Sequence, residues 1–137
     1  MKQMATRFSI ALSLMLFLFL GINIAYGKEK SEGAIKFQET SYNFGNIPED
    51  GGPVSHDLLF VNEGPGKLVI YDAKAQCGCT KPDFPKEAIG VGKSGKINVT
   101  FLPKGRSGGF VKIVTVKCSG HPGKVTLKIT GTVVPKQ

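Results

Sequence analysis

Lys124-Val125-Thr126-Leu127-Lys128-Ile129-Thr130-Gly131-Thr132-Val133 alternates along its whole length. Val125, Leu127, Ile129, Gly131 and Val133 share one parity, and Lys124, Thr126, Lys128 and Thr130 the other. Period two is the pattern of a strand with one buried face. The stretch before it, Phe110 to Cys118, puts Phe110, Val114, Val116 and Cys118 on one parity, with Val111 and Ile113 on the other. Ile97, Val99 and Phe101 alternate with Lys96, Asn98 and Thr100. Val54, His56, Leu58 and Phe60 share a face, while Leu59 and Val61 give the same strand apolar residues on its second face, as cover on both sides would require. Helical periodicity is absent almost everywhere.

Toward the N-terminus, Ile35 and Phe37 open the strand pattern, and Tyr42 to Gly45 continue it after a break at Thr40-Ser41. Asn46 to Pro53 reads as loop. Lys67 to Cys79 reads as one strand whose apolar parity changes between Leu68-Ile70 and Ala73-Ala75-Cys77-Cys79. A strand cannot change its buried face without an extra residue, so a bulge is expected near Tyr71-Asp72. Residues 81–94 read as loop with a short helical turn near Pro85 to Ala88. Glycine and proline punctuate the chain at short intervals. The expectation is an all-β fold, an immunoglobulin-like sandwich of about seven antiparallel strands.

The N-terminal part has another character. Lys2 and Arg7 precede an almost unbroken apolar run from Phe8 to Leu20, and Ala25-Tyr26-Gly27 supplies small residues at −3 and −1. This is the pattern of a secretory signal peptide, cleaved between Gly27 and Lys28. The competing reading is a retained anchor, since Phe8 to Ile24 is near the roughly 17 residues that span a bilayer. The expected division is a signal peptide over 1–27, a charged leader over 28–33, and one domain over 34–137 of the 137 residues. After cleavage no membrane insertion is expected, and the protein is exported.

The segment after residue 27 carries 16 Lys/Arg and 10 Asp/Glu, a net charge of +6. The lysines are spread singly, with no block of five and few interleaved aromatics, which argues against nucleic acid. Gly90-Val91-Gly92-Lys93-Ser94 lacks the first glycine of a phosphate loop, because Glu87 stands there. No Ser/His/Asp set is present to suggest hydrolysis. His56 reads as a rim or core residue and His121 as a turn residue before Pro122.

Chemistry centres on Ala75-Gln76-Cys77-Gly78-Cys79-Thr80-Lys81-Pro82. On a strand, residues i and i+2 lie about 6.6 Å apart on one face, near the upper limit for a disulfide. Gly78 lets the backbone bend to close that gap. Strained bridges tend to be the labile ones, and Lys74 and Lys81 would favour thiolate. A thiol–disulfide exchange site or a two-thiolate Cu(I) site therefore stands beside a plain structural reading, a bridge or two buried core residues. Cys118 and His121 have ligand-like spacing, and with Cys77 and Cys79 would make a zinc set. Antiparallel topology instead places them at the opposite pole, beside Gly64-Pro65-Gly66. No metal site and no cofactor are expected.

Phe44-Gly45, Phe60-Val61-Asn62-Glu63-Gly64, Leu68-Val69-Ile70, Cys77-Gly78-Cys79-Thr80, Gly109-Phe110 and Gly131 together resemble the bacterial secreted family called Domain of Unknown Function 1573. Its members are similar to Hydin-like (ASH) immunoglobulin-like domains. The resemblance covers about residues 35 to 134, and implies a seven-stranded sandwich and export to the periplasm or cell exterior. It implies no established activity. Cys118-Ser119-Gly120 departs from the family's Asn-containing turn. The functional expectation is a non-enzymatic module that binds a protein or cell-envelope component, with redox or Cu(I) chemistry at Cys77 and Cys79 as the alternative.

Overall fold

The computed structural model describes residues 31–136. The expected signal peptide, its Gly27–Lys28 cleavage site and residues 28–30 of the 28–33 leader lie outside the described residues. Glu32 and Gly33, at the edge of that leader, accept backbone hydrogen bonds from Gly66 and His121.

Eight strands form: β1 (Ile35–Phe37), β2 (Ser41–Pro48), β3 (Val54–Asn62), β4 (Ile70–Ala75), β5 (Thr80–Asp83), β6 (Ser94–Phe101), β7 (Gly108–Cys118) and β8 (Lys124–Val134). They make two four-stranded sheets, in the orders β1-β3-β6-β5 and β2-β8-β7-β4. This is the expected sandwich with one strand more. The long alternating stretches are its framework: β7 and β8 pair antiparallel from Gly108↔Val133 to Lys117↔Lys124, and β3 pairs antiparallel with β6. Their inward residues bury the core, Leu58, Phe60, Ile97 and Val99 against Val114, Val116, Leu127 and Ile129. Each such side chain contributes roughly 2 kcal/mol of transfer free energy.

The bulge stands where the parity argument put it. The β4–β7 register shifts between Ile70 and Asp72, which turns Tyr71 outward, 63% exposed. Other expectations are corrected. The break at residues 38–40 is a change of sheet: β1 joins β3, whereas β2 crosses to β8 and runs parallel to it. One pair is therefore parallel, because β1 and β2 continue in one direction while serving different sheets. Asn46 to Pro48 is strand, not loop. Gly45, at a φ of +70°, absorbs the register shift between Asn43 and Asn46, as a glycine in a bulge can. Residues 80–83 are strand as well. Pro82 is tolerated there because β5 is an edge with β6 on one side only. Pro85 to Ala88 forms no helix; Ile89 instead bridges to Leu68. β3 is covered on one face, since Leu59 is exposed.

Candidate functional site

Cys77-Gly78-Cys79 is not the end of a strand. β4 ends at Ala75 and β5 begins at Thr80, so the pair occupies the turn that carries the chain from one sheet to the other. The turn brings the two Cα atoms to 5.3 Å, and Cys77 and Cys79 are joined as a disulfide. Backbone bonds hold the turn on both sides. Thr80 N–H donates to Cys77 C=O at 3.2 Å, Leu102 N–H to Cys79 C=O at 2.8 Å, and Gln76 N–H to Ile113 C=O at 3.2 Å.

The two cysteines have unequal surroundings. Cys79 is 2% exposed and belongs to a small cluster with Ile47, Phe101 and Val133. Cys77 is half-buried and packs on the outside of that cluster. Thr80, itself 3% exposed, places its hydroxyl 3.8 Å from Cys77 Sγ and 3.7 Å from Cys79 Sγ. Neither bridged sulfur carries a hydrogen, so the hydroxyl is the donor, its single hydrogen shared between the two sulfurs. Among the described residues its side chain has no other hydrogen-bond partner. Lys74 and Lys81, expected to favour thiolate, are exposed; their registers with Thr115 and Thr100 point them out of the sandwich.

Packing beneath the turn is aromatic. Phe101 stacks on Phe110 with ring centroids 3.9 Å apart. Phe110 lies opposite Gly131 on β8, where a Cβ would come within 2.7 Å of its ring. The family-like Gly109-Phe110 and Gly131 are thus one contact, a ring seated over a bare backbone.

Cys118 and His121 lie at the other pole, as topology required. Cys118 pairs with Ile70 at the start of β4, and its thiol donates to Pro122 C=O at 3.3 Å. Burial pushes this thiol above the ordinary cysteine value, with a smaller opposing contribution from the Gly120 backbone. His121 is an exposed turn residue whose carbonyl accepts from Ile35 N–H. His56 stacks on Tyr42, centroids 3.4 Å apart, and bonds Glu39 at 2.7 Å.

Sequence reasoning missed the centre of this pole, Asn62. Its side chain is fully buried. Oδ1 accepts from Ala34 N–H and Gly64 N–H, each at 3.0 Å. Nδ2 donates to the carbonyls of Gly66 at 2.8 Å, Ile89 at 3.0 Å and Gly90 at 3.2 Å. The signal was the Asn62-Glu63-Gly64 triplet, which by composition is an ordinary turn.

The two outer faces differ in charge. On β1, β3 and β6 the opposite signs meet. Asp57 accepts from Lys96 at 2.8 Å and Asn98 at 2.7 Å, and Lys36 pairs with Glu63 at 3.3 Å. The hydrogen bonds from Lys96 and then Asn98 hold the Asp57 carboxyl below its ordinary value. On the other sheet Lys74, Lys117, Lys124 and Lys128 are all exposed. Lys117 stands directly opposite Lys124, and Asp72 is the acid opposite Lys117 on its other side. Among the described residues none of these four lysines forms an ion pair.

The architecture is shared widely at low identity. A protein of unknown function from Porphyromonas gingivalis W83 aligns at 15% identity with a TM-score of 0.67, over 80% of this chain and 51% of that one. This chain therefore spans about half the length of that neighbour. The ASH / PapD-like domain 7 of human CEP192 aligns at 12% identity with a TM-score of 0.61, over 77% of this chain and 89% of that one. The Vibrio cholerae VesB protease aligns at 15% identity with a TM-score of 0.58, over 74% of this chain and 32% of that one. These likenesses are of fold. Among curated proteins none matches this chain. Residues 35–133 match the model of a family described as "Protein of unknown function (DUF1573)", and with so much of its length matched the chain belongs to that family.

Proposed function

We propose that this protein is an exported binding domain, and that the outer face of the β2-β8-β7-β4 sheet is its docking surface. The observation that carries this reading is the set Lys74, Lys117, Lys124 and Lys128. Like charges directly opposite on neighbouring strands destabilise a sheet, yet Lys117 faces Lys124. The other sheet of the same molecule shows what a face without such a demand looks like, with Lys36 and Lys96 each paired to an acid. Threonine hydroxyls lie among the cations, Thr115 opposite Thr126, and exposed Val111 gives the face an apolar spot. Hydrogen-bonding groups and charge around an apolar spot suit a protein interface. The partner is a protein or cell-envelope component presenting carboxylates or phosphates. Tyr71 is the one large aromatic residue exposed in this sheet, too few for stacking successive bases.

Site-specific photo-cross-linking in the native compartment tests the reading, with the cross-linker at Thr126 on the cationic face or at Thr100 on the other. Adducts should form from Thr126, weaken with salt as exposed charge pairs do, and disappear in a Lys117→Glu/Lys124→Glu variant. Equal adducts from both positions, unaffected by charge reversal, would refute it. A Cu(I) role for Cys77 and Cys79 needs both sulfurs as thiolates, so a bonded pair must first be reduced.

A further inference from the structure

We propose that the Cys77–Cys79 bridge is a thiol–disulfide exchange centre, in which Cys77 is the sulfur attacked, Cys79 the sulfur released, and the buried Thr80 hydroxyl the group that receives the released charge. The inference is independent of the docking face, because it concerns the pole of the sandwich and not a sheet surface.

Three observations carry it. First, the bridge is nearly redundant as a fastening. It closes a ring across a sequence separation of 2, and so short a loop leaves little chain entropy for a bridge to remove. The turn is already held by the backbone bonds of Thr80, Leu102 and Gln76. Second, the two sulfurs are unequal. Ile47, Phe101 and Val133 enclose Cys79, while Cys77 keeps a solvent side, so an incoming nucleophile meets Cys77. Third, Thr80 is a buried hydroxyl that donates only to sulfur. A disulfide sulfur is a weak acceptor. A thiolate at the same place takes a charge-assisted hydrogen bond, about twice as strong as a neutral one. The site is therefore better satisfied open than closed. A purely structural bridge gives no reason to bury a hydroxyl against both sulfurs.

The co-reactant is a dithiol, carried by a polypeptide or a redox partner protein. One of its thiolates attacks Cys77 Sγ; a mixed disulfide forms, the Cys77–Cys79 bond breaks, and the electron pair leaves on Cys79 Sγ, which accepts from Thr80. The second thiolate of the dithiol attacks its own bonded sulfur, closing the co-reactant's disulfide and releasing Cys77 as thiolate. The two thiolates take up the two protons that the dithiol lost. Two electrons pass from the dithiol to the pair, and the reverse sequence reduces a disulfide. Cys118 does not compete, lying at the far pole with its thiol buried.

The test uses the full chain, with glutathione as the probe. In glutathione redox buffers the Thr80→Val variant should hold its bridge about tenfold more tightly than the parent, since a tenfold change corresponds to about 1.4 kcal/mol, and Thr80→Ser should restore the parent value. Single-cysteine variants give a second readout that keeps Thr80 in place. With Cys79→Ala, oxidised glutathione should form a mixed disulfide at Cys77, located by peptide mass. With Cys77→Ala, Cys79 should react at least tenfold more slowly. Equal reactivity of the two cysteines overturns the assignment of the attacked sulfur. An unchanged equilibrium in Thr80→Val, with the fold intact by circular dichroism, overturns the role of the hydroxyl. A parent bridge that stays closed across the whole glutathione range overturns the exchange centre itself.

Discussion

At the Asn62 end of the sandwich one buried amide binds five backbone groups drawn from three stretches of chain. At the Cys77–Cys79 end, closure falls to a ring stacked over a glycine and to a covalent bridge spanning three residues. The weaker-looking device, a set of hydrogen bonds, stabilises the fold more than the covalent one. The Asn62 bonds to Ala34 N–H, Gly64 N–H and Gly66 C=O satisfy groups with no other partner among the described residues, each costing about 1–3 kcal/mol if left unpaired. The bridge removes little chain entropy because so short a loop had little to lose. One end holds the fold together, and the other has groups to spare.

The largest expected break is Asn62→Ala. It strands the N–H groups of Ala34 and Gly64 and the carbonyl of Gly66, while the Ile89 and Gly90 carbonyls keep their backbone donors Leu68 and Lys93. Denaturant unfolding should show a loss of about 4 kcal/mol, a large share of the roughly 5–15 kcal/mol that holds a domain. Next is Gly131→Val at the other end. Its Cβ enters the Phe110 ring position, and Phe110 cannot retreat through Phe101, stacked behind it at 3.9 Å. Overpacking of this kind costs roughly 2 kcal/mol, read as a lowered Tm. Reducing the Cys77–Cys79 bridge should cost less again, roughly 1.5 kcal/mol, with the far-ultraviolet spectrum unchanged. Should reduction cost as much as Asn62→Ala, the contrast between the ends would collapse.

The smallest effect is a pH dependence at the Asn62 end. The Cys118 thiol is raised by burial in the folded state, so above the ordinary thiol value the unfolded chain has lost a proton that the folded chain keeps. Stability is then full below the ordinary value and declines as pH rises from there toward the raised one. Cys118→Val should flatten that alkaline decline in thermal unfolding scans, while Cys77→Ala/Cys79→Ala should not.

Much of this molecule can be read without coordinates, but unevenly. The inward parity of Val114, Val116, Cys118, Leu127 and Ile129 was legible, and all of them are buried. The bulge at Tyr71 was legible too, because a strand that changes parity must take up an extra residue somewhere along it. β5 was not, since Pro82 reads as a loop residue until the strand is known to lie at an edge. The crossing of β2 to the second sheet was equally hidden, as alternation says which side is buried and not which strand lies alongside. At the candidate site a Cys77–Cys79 bridge was one reading that Gly78 allowed, beside two unbridged buried cysteines. Asn62 and Thr80 stand among the residues that carry the family resemblance but received no role, because neither is unusual in its local sequence.

Residue order was enough to establish that this chain is β throughout its long alternating stretches, and which side of each such strand is apolar. Side-chain direction alternates with the backbone of a single strand, a local property that needs no partner. Only packing in three dimensions brought Asn62 to Ile89 across 27 positions of chain, put Cys79 inside while Cys77 stayed at the edge, and set Lys117 against Lys124 across β7 and β8. Burial, hydrogen-bond partnership and charge opposition depend on what stands across the gap, and that is established only when distant segments pack together.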